Sequence, residues 1–189
     1  MVNQIREAQK LGQSIWYDNV RRGLLVSGEI AELIKTGVTG LTSNPTIFEK
    51  AISESSDYDE ALMALAMKGH TAEEAFEELA ITDIRNVADL LRQVYNDTNG
   101  RDGYASLEVS PSLAHDTNAT VAEALRLFAK LDRPNVMVKV PATLEGIPAI
   151  QQLIAKGVNI NVTLLFDLEA YRNVRNAYSA GLEQLQASG

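Results

Sequence analysis

Cysteine is absent from the 189 residues, which removes disulfides, thiolate nucleophiles and cysteine metal sites together. Histidine occurs twice, as His70 and His115; neither has ligand spacing around it, so surface histidines and no metal centre are expected. Positive charge is in the minority. The 17 Lys and Arg stand against 25 Asp and Glu, a formal net charge of -8, which argues against a general nucleic-acid or anionic-membrane surface but leaves room for a local basic pocket. No segment approaches the roughly 20 apolar residues of a membrane span, and MVNQIREAQKLGQSIW at the start lacks a signal-peptide apolar core. A cytoplasmic protein is therefore expected. Phosphate loops, dinucleotide glycine motifs, repeats, low-complexity tracts and interdomain linkers are missing as well.

What is present is ordinary for a globular domain: 46% hydrophobic and 22% charged residues, enough for one sizeable core over residues 1–189. Helical spacing recurs. TAEEAFEELA opens with a Thr71/Glu74 capping box, and ITDIRNVADLLRQVY sets Ile84, Val87, Leu90, Leu91 and Val94 on one helical face. NATVAEALRLFAKL, LEGIPAIQQLIAKG and DLEAYRNVRNAYSAGLEQL are similar, and Gly157 stops the second of these as a C-terminal cap.

Between the helices lie five short segments of strand character, at 14–18, 38–42, 104–109, 136–140 and 158–162. Strands alternating with helices imply βαβ units and a mainly parallel sheet. Alternation sorts each strand into two faces. Val136, Val138 and Val140 oppose Met137 and Lys139; Ala105, Leu107 and Val109 oppose Ser106 and Glu108; Val158, Ile160 and Val162 oppose Asn159, Asn161 and Thr163; Ile15 and Tyr17 oppose Trp16 and Asp18. Thr42 and Asn44 continue the polar set at the end of the second strand. One apolar face and one face ending in polar groups at the strand's C-terminal side match a (β/α) TIM-type barrel, an α/β fold whose chemistry sits there. A doubly wound sheet, apolar on both faces, fits less well.

Lys139 inside the run VMVKVPAT is the first chemical candidate. A lysine there is either a structural ion-pair partner or an amine desolvated enough to be nucleophilic, as a Schiff base with a carbonyl requires. Glu108 is open in the same way, as the partner of that lysine or as a proton carrier acting through water. Taken singly, Asp18 reads as an N-cap, Asn44 in SNP as the cap of the next helix, and Thr143 as a cap for the helix beginning LEGI. Taken together, a lysine, two carboxylates, two asparagines and two threonines recur at equivalent places on five successive strands, which chance explains poorly.

In order along the chain, LTSNPTIFEKAI, LEVSP, VMVKVPAT, PAIQQLIAKG and GVNINVTLLF resemble the transaldolases of the pentose phosphate pathway, with WYDN in weak support. The EVSP form and the long interval between the second and third strands look like the larger branch, some of whose members are fused to a glucose-phosphate isomerase. The resemblance implies transfer of a dihydroxyacetone unit from sedoheptulose 7-phosphate to glyceraldehyde 3-phosphate through a lysine Schiff base. It implies sugar-phosphate substrates and no metal or organic cofactor, with neither nucleic acid nor membrane as a partner. Lys139 matches the Schiff-base lysine, and Asp18 the first-strand aspartate that takes a proton from the hydroxyl beside the breaking bond. Glu108 and Thr163 match the pair that holds the proton-carrying water, and Asn44, Asn161 and Thr42 the positions that bind the dihydroxyacetone unit.

A closed barrel needs eight strands and usually about 250 residues, whereas five strands are counted here. The chain is thus expected to be the N-terminal part of a single barrel domain, without the family's serine and arginine phosphate contacts. An uncovered inner face and sheet edge would invite a missing C-terminal barrel portion or self-association. Two other functions suit the same residues: a class I aldolase such as a fructose 6-phosphate aldolase, and a non-catalytic barrel fragment that binds a partner.

Overall fold

The computed structural model describes residues 3–189, which divide into two compact units. The first comprises the chain up to Leu107 with Arg133–Asn135, the second Glu108–Asp132 with Val136–Gly189.

In the first unit, helix α1 (Gln4–Lys10) precedes strand β1 (Trp16–Asp18), then α2 (Arg22–Val26), α3 (Glu29–Thr36) and β2 (Gly40–Thr42). Helices α4 (Pro45–Glu54), α5 (Asp59–Met67) and α6 (Ala72–Asp97) follow, with a 3-10 turn at Ser56–Tyr58, before β3 (Tyr104–Glu108). β1 pairs with β2 and β2 with β3, all parallel, so that Asp18, Thr42 and Ser106 fall on one rung. The second unit takes up the end of β3 and adds α7 (Thr117–Leu131), β4 (Val136–Pro141), α8 (Gly146–Ala155), β5 (Ile160–Thr163) and α9 (Leu168–Ala187). β4 and β5 are parallel and bring Lys139 opposite Asn161 and Pro141 opposite Thr163. Among the described residues the strand order is β1-β2-β3-β4-β5, the chain order, which is the repeat of a (β/α) TIM-type fold.

Local chemistry explains the element ends. Val158 does not open β5, because its N–H turns back to the Leu153 carbonyl (3.1 Å) and closes α8. Gly157 makes that closure with φ +75°, a left-handed conformation that costs glycine nothing. The Thr71/Glu74 capping box forms. Nothing breaks the helix between Ala80 and Ile81, so the two periodic segments merge into the 26-residue α6. Ile84, Val87 and Leu91 are buried on it, but Leu90, expected on the same face, is 41% exposed. Asp18 caps nothing: the N-cap of α2 is Arg21, and it supplies no side-chain hydrogen bond. Thr143 does cap, accepting from Gly146 N (2.9 Å) while donating to the Ala114 carbonyl (2.6 Å).

The face sorting holds in β4, whereas in β3 both faces are buried up to Leu107, Ser106 included. Val136, Val138 and Val140 are fully buried, while Met137 and Lys139 are half-buried. β5 is half-buried at every residue, Ile160 and Val162 included. In the first unit Trp16 packs flat on Gly40, where any Cβ would overlap the indole. Gly40→Ala is therefore expected to cost about 1–3 kcal/mol through overpacking. Because Trp16 is the only tryptophan, its emission spectrum should shift with the lowered urea midpoint, and an unchanged spectrum would speak against the packing.

Candidate active site

The strand that carries Lys139 places it among apolar neighbours without burying it completely. Its side chain is 13% exposed, that of Glu108 16%, and Lys139 Nζ stands 3.4 Å from Glu108 Oε2. Val109 N–H donates to the Lys139 carbonyl (3.1 Å), which fixes the end of β3 beside the middle of β4. Asn161 lies across the ladder from Lys139, and Thr163 two residues on. The Thr163 carbonyl accepts from Ala142 N (2.9 Å), tying the ends of β4 and β5 together. Four of the residues singled out from the sequence, Lys139, Glu108, Asn161 and Thr163, thus gather in the second unit. Asn159 serves the backbone instead: its amide donates to the Val136 carbonyl (3.1 Å).

An amine next to a carboxylate in a half-desolvated setting can give up a proton to it directly or through one water, and the carboxylate can return it. Asn161 adds a neutral amide that donates and accepts without introducing charge.

The remaining three residues lie in the first unit. Asp18 ends β1 and is exposed, and it lines a cavity of about 620 Å³ together with Arg21, Lys50 and Asp57. Thr42 shares its rung. Asn44 is the N-cap of α4, its Oδ1 accepting from Ile47 N (2.9 Å). That bond uses the amide oxygen and leaves the Nδ2 hydrogens for a ligand.

Ser106, which strand alternation placed on the polar face without giving it a role, supports Thr42 and Ser43. It is fully buried, its hydroxyl donates to Thr42 Oγ1 (2.9 Å), and its carbonyl accepts from Ser43 Oγ (3.0 Å). With its oxygen already accepting, the Thr42 hydroxyl keeps its own hydrogen to give elsewhere. A serine on the polar face one layer below a carboxylate was the available signal.

His115 faces Glu145 at 3.3 Å and is 83% exposed, a surface contact as expected. The Glu145 carboxyl is held below its usual range by its own backbone N–H and by that imidazole. Among the described residues no group of three or more His, Cys, Asp or Glu is arranged to hold a metal ion, and no helix is long and apolar enough to cross a membrane.

The profile of the transaldolase/fructose-6-phosphate aldolase family matches residues 15–188. A transaldolase of Saccharopolyspora erythraea is 54% identical over 94% of this chain and 48% of its own length. A transaldolase of Thermobifida fusca is 50% identical over 100% of this chain and 52% of its own, and transaldolase 1 of Streptomyces avermitilis is 50% identical over 99% and 50%. The chain spans about half the length of these curated relatives.

Proposed function

We propose that this chain, which belongs to the transaldolase/fructose-6-phosphate aldolase family, carries the Schiff-base chemistry of a transaldolase acting on sugar phosphates in the cytoplasm. The observation that supports this most is the half-buried Lys139–Glu108 pair at 3.4 Å, with Asn161 across the ladder. We read residues 1–189 as the N-terminal part of a single barrel domain, whose phosphate contacts come from outside it.

The steps follow from bond accounting. The Lys139 amine adds to the ketone carbon of the donor sugar, and water leaves as the C=N bond forms. Glu108, with a water held by Thr163, takes the proton released by the amine and supplies one to the departing hydroxyl. Asp18 then removes the proton from the hydroxyl next to the breaking bond. That carbon–carbon bond breaks, and its electron pair passes into the iminium to give an enamine, while the aldehyde departs. An acceptor aldehyde reverses these steps, and hydrolysis frees the lysine. The amides of Asn44 and Asn161 and the hydroxyl of Thr42 hold the three-carbon unit and set no competing charge.

On this account Glu108→Gln, measured in the protein as its gene encodes it, slows borohydride trapping of fructose 6-phosphate by about 10²–10⁴-fold. The adduct still forms on Lys139. Trapping at the wild-type rate would remove Glu108 from the proton path. Comparing product formation with and without erythrose 4-phosphate as acceptor separates transfer from simple aldol cleavage: transfer without acceptor-independent release is expected, and the reverse would favour the aldolase.

A further inference from the structure

The first turn of α2 lacks the cap its own sequence should supply. Arg21 at the N-cap position has no side-chain bond to the helix, and helix-terminal N–H groups need acceptors. The acceptor comes from 36 residues away: Arg22 N–H donates to the Tyr58 hydroxyl at 2.8 Å. That hydroxyl in turn donates to Asp83 Oδ2 at 2.8 Å, and the Arg22 guanidinium closes the circuit on Asp83 Oδ1 through Nε (3.1 Å) and Nη2 (2.9 Å). The guanidinium also lies over the Tyr58 ring, 4.5 Å from its centroid. Tyr58 is fully buried and Asp83 has no exposed side-chain surface. One residue is thus fixed by both its main chain and its side chain, four positions after Asp18. Next to Tyr58, the Asp57 carboxylate lies close over Gly23 in the same turn, and Asp57 and Asp18 line the same cavity.

We infer that Tyr58, oriented by Asp83, is a positioning residue for Asp18: by capping α2 it fixes the β1–α2 loop and with it the carboxylate that takes the proton in the bond-breaking step. This rests on the transaldolase reading of the site. The role belongs to the hydroxyl rather than the ring, because the ring alone cannot accept the Arg22 N–H. Burial, with the neighbouring Asp83 carboxylate adding to it, holds the phenol protonated far above its usual range, so the acceptor and donor roles persist across the working pH.

The test is Tyr58→Phe in the protein as its gene encodes it, alone and combined with Asp18→Asn. Borohydride is added to enzyme and fructose 6-phosphate, and the mass of the Lys139 adduct is read: a six-carbon adduct reports the Schiff base before cleavage, a three-carbon adduct the unit left after it. Tyr58→Phe should trap on Lys139 as fast as the wild type, shift the adduct toward six carbons, and lower kcat about tenfold with KM within about twofold, as misplacement of a reacting group does. With Asn at position 18 the second change should add nothing. Hydrogen exchange at the Arg22 amide should rise about tenfold while amides of β2 and α6 keep their protection.

An unshifted adduct ratio, an equal loss in both backgrounds, or an Arg22 amide that exchanges as in the wild type would overturn the inference. A rise in exchange across all of the first unit would also do so, since Tyr58 would then be holding the fold and not the loop. If the wild type forms no adduct on Lys139, the transaldolase reading fails and takes this inference with it. An adduct in the wild type with no shift in the variant sinks the inference alone.

Discussion

Lys139→Met, assayed in the protein as its gene encodes it, forms no borohydride-stable adduct with fructose 6-phosphate and loses turnover by at least about 10⁴-fold, equivalent to about 5 kcal/mol of transition-state stabilisation. The loss is that large because the variant retains no amine to form the iminium, and without an electron sink the carbon–carbon bond has no low-energy way to break. Methionine keeps the length and an apolar stem on the strand face opposite the buried valines, so the far-ultraviolet circular dichroism and the urea midpoint should stay close to the wild type. The Glu108 carboxylate, left without its partner at 16% exposure, still reaches water. A variant that folds and keeps turning over would show that the lysine is a structural ion-pair partner, the bland reading of VMVKVPAT.

The second large effect is on stability. Asp83→Ala removes one carboxylate that satisfies Tyr58 and Arg22 together. Breaking a buried pair from one side costs about 3–5 kcal/mol, and the lower end applies because the Arg22 side chain keeps 18% exposure and some access to water. A lowered urea midpoint with unchanged slope should report it, and a loss below about 1 kcal/mol, the range of exposed pairs, would mean the network is loosely made.

The same group makes a pH prediction. Burial raises the Asp83 carboxyl above its ordinary 3.8, outweighing the Tyr58 hydroxyl and the Arg22 guanidinium that pull it down. A carboxyl raised on folding contributes stability that is fully present below its unfolded value and is lost as pH rises through the folded value. The stability of wild type relative to Asp83→Asn should therefore decline as pH rises from about 4 through the folded value and then level off. Asp89 behaves in the opposite sense. Chiefly through its hydrogen bonds to Arg133, it is held below 3.8, so its small contribution is present above that value and fades as pH falls through the folded one.

How much of this was legible in the sequence depends on the range over which each signal acts. Strand alternation is a property of adjacent residues, and it placed Lys139, Glu108, Asn161 and Thr163 on faces that the ladder then aligned. Local caps were equally readable: Thr71 with Glu74, Asn44 and Thr143 all bond as their spacing implies. The strands start later than expected at residues 14 and 158, because backbone pairing begins only where the parallel neighbour is in register and Val158 is spent on closing α8.

Asp18 does not cap α2, for a related reason. The cap of α2 is supplied by Tyr58, and a bond between residues 36 apart leaves no periodic trace. The Arg22–Asp83 pair spans 61 positions and is invisible in the same way. Leu90 escaped the buried stripe of α6 because periodicity predicts which residues share a face, not how far a neighbouring element reaches over it. Family membership rested on something else again, the order and wording of five short segments, and the match over residues 15–188 agrees with it.

The claim on which the whole account turns is that Lys139 carries the donor sugar covalently, and peptide mapping of the borohydride-reduced wild-type protein after incubation with fructose 6-phosphate tests it most directly. A single modified peptide is expected, containing Val136–Val140, with the three-carbon unit on Lys139 and its yield abolished by omitting the sugar. A reduced adduct on another lysine, or none at all while the protein turns over, would contradict it.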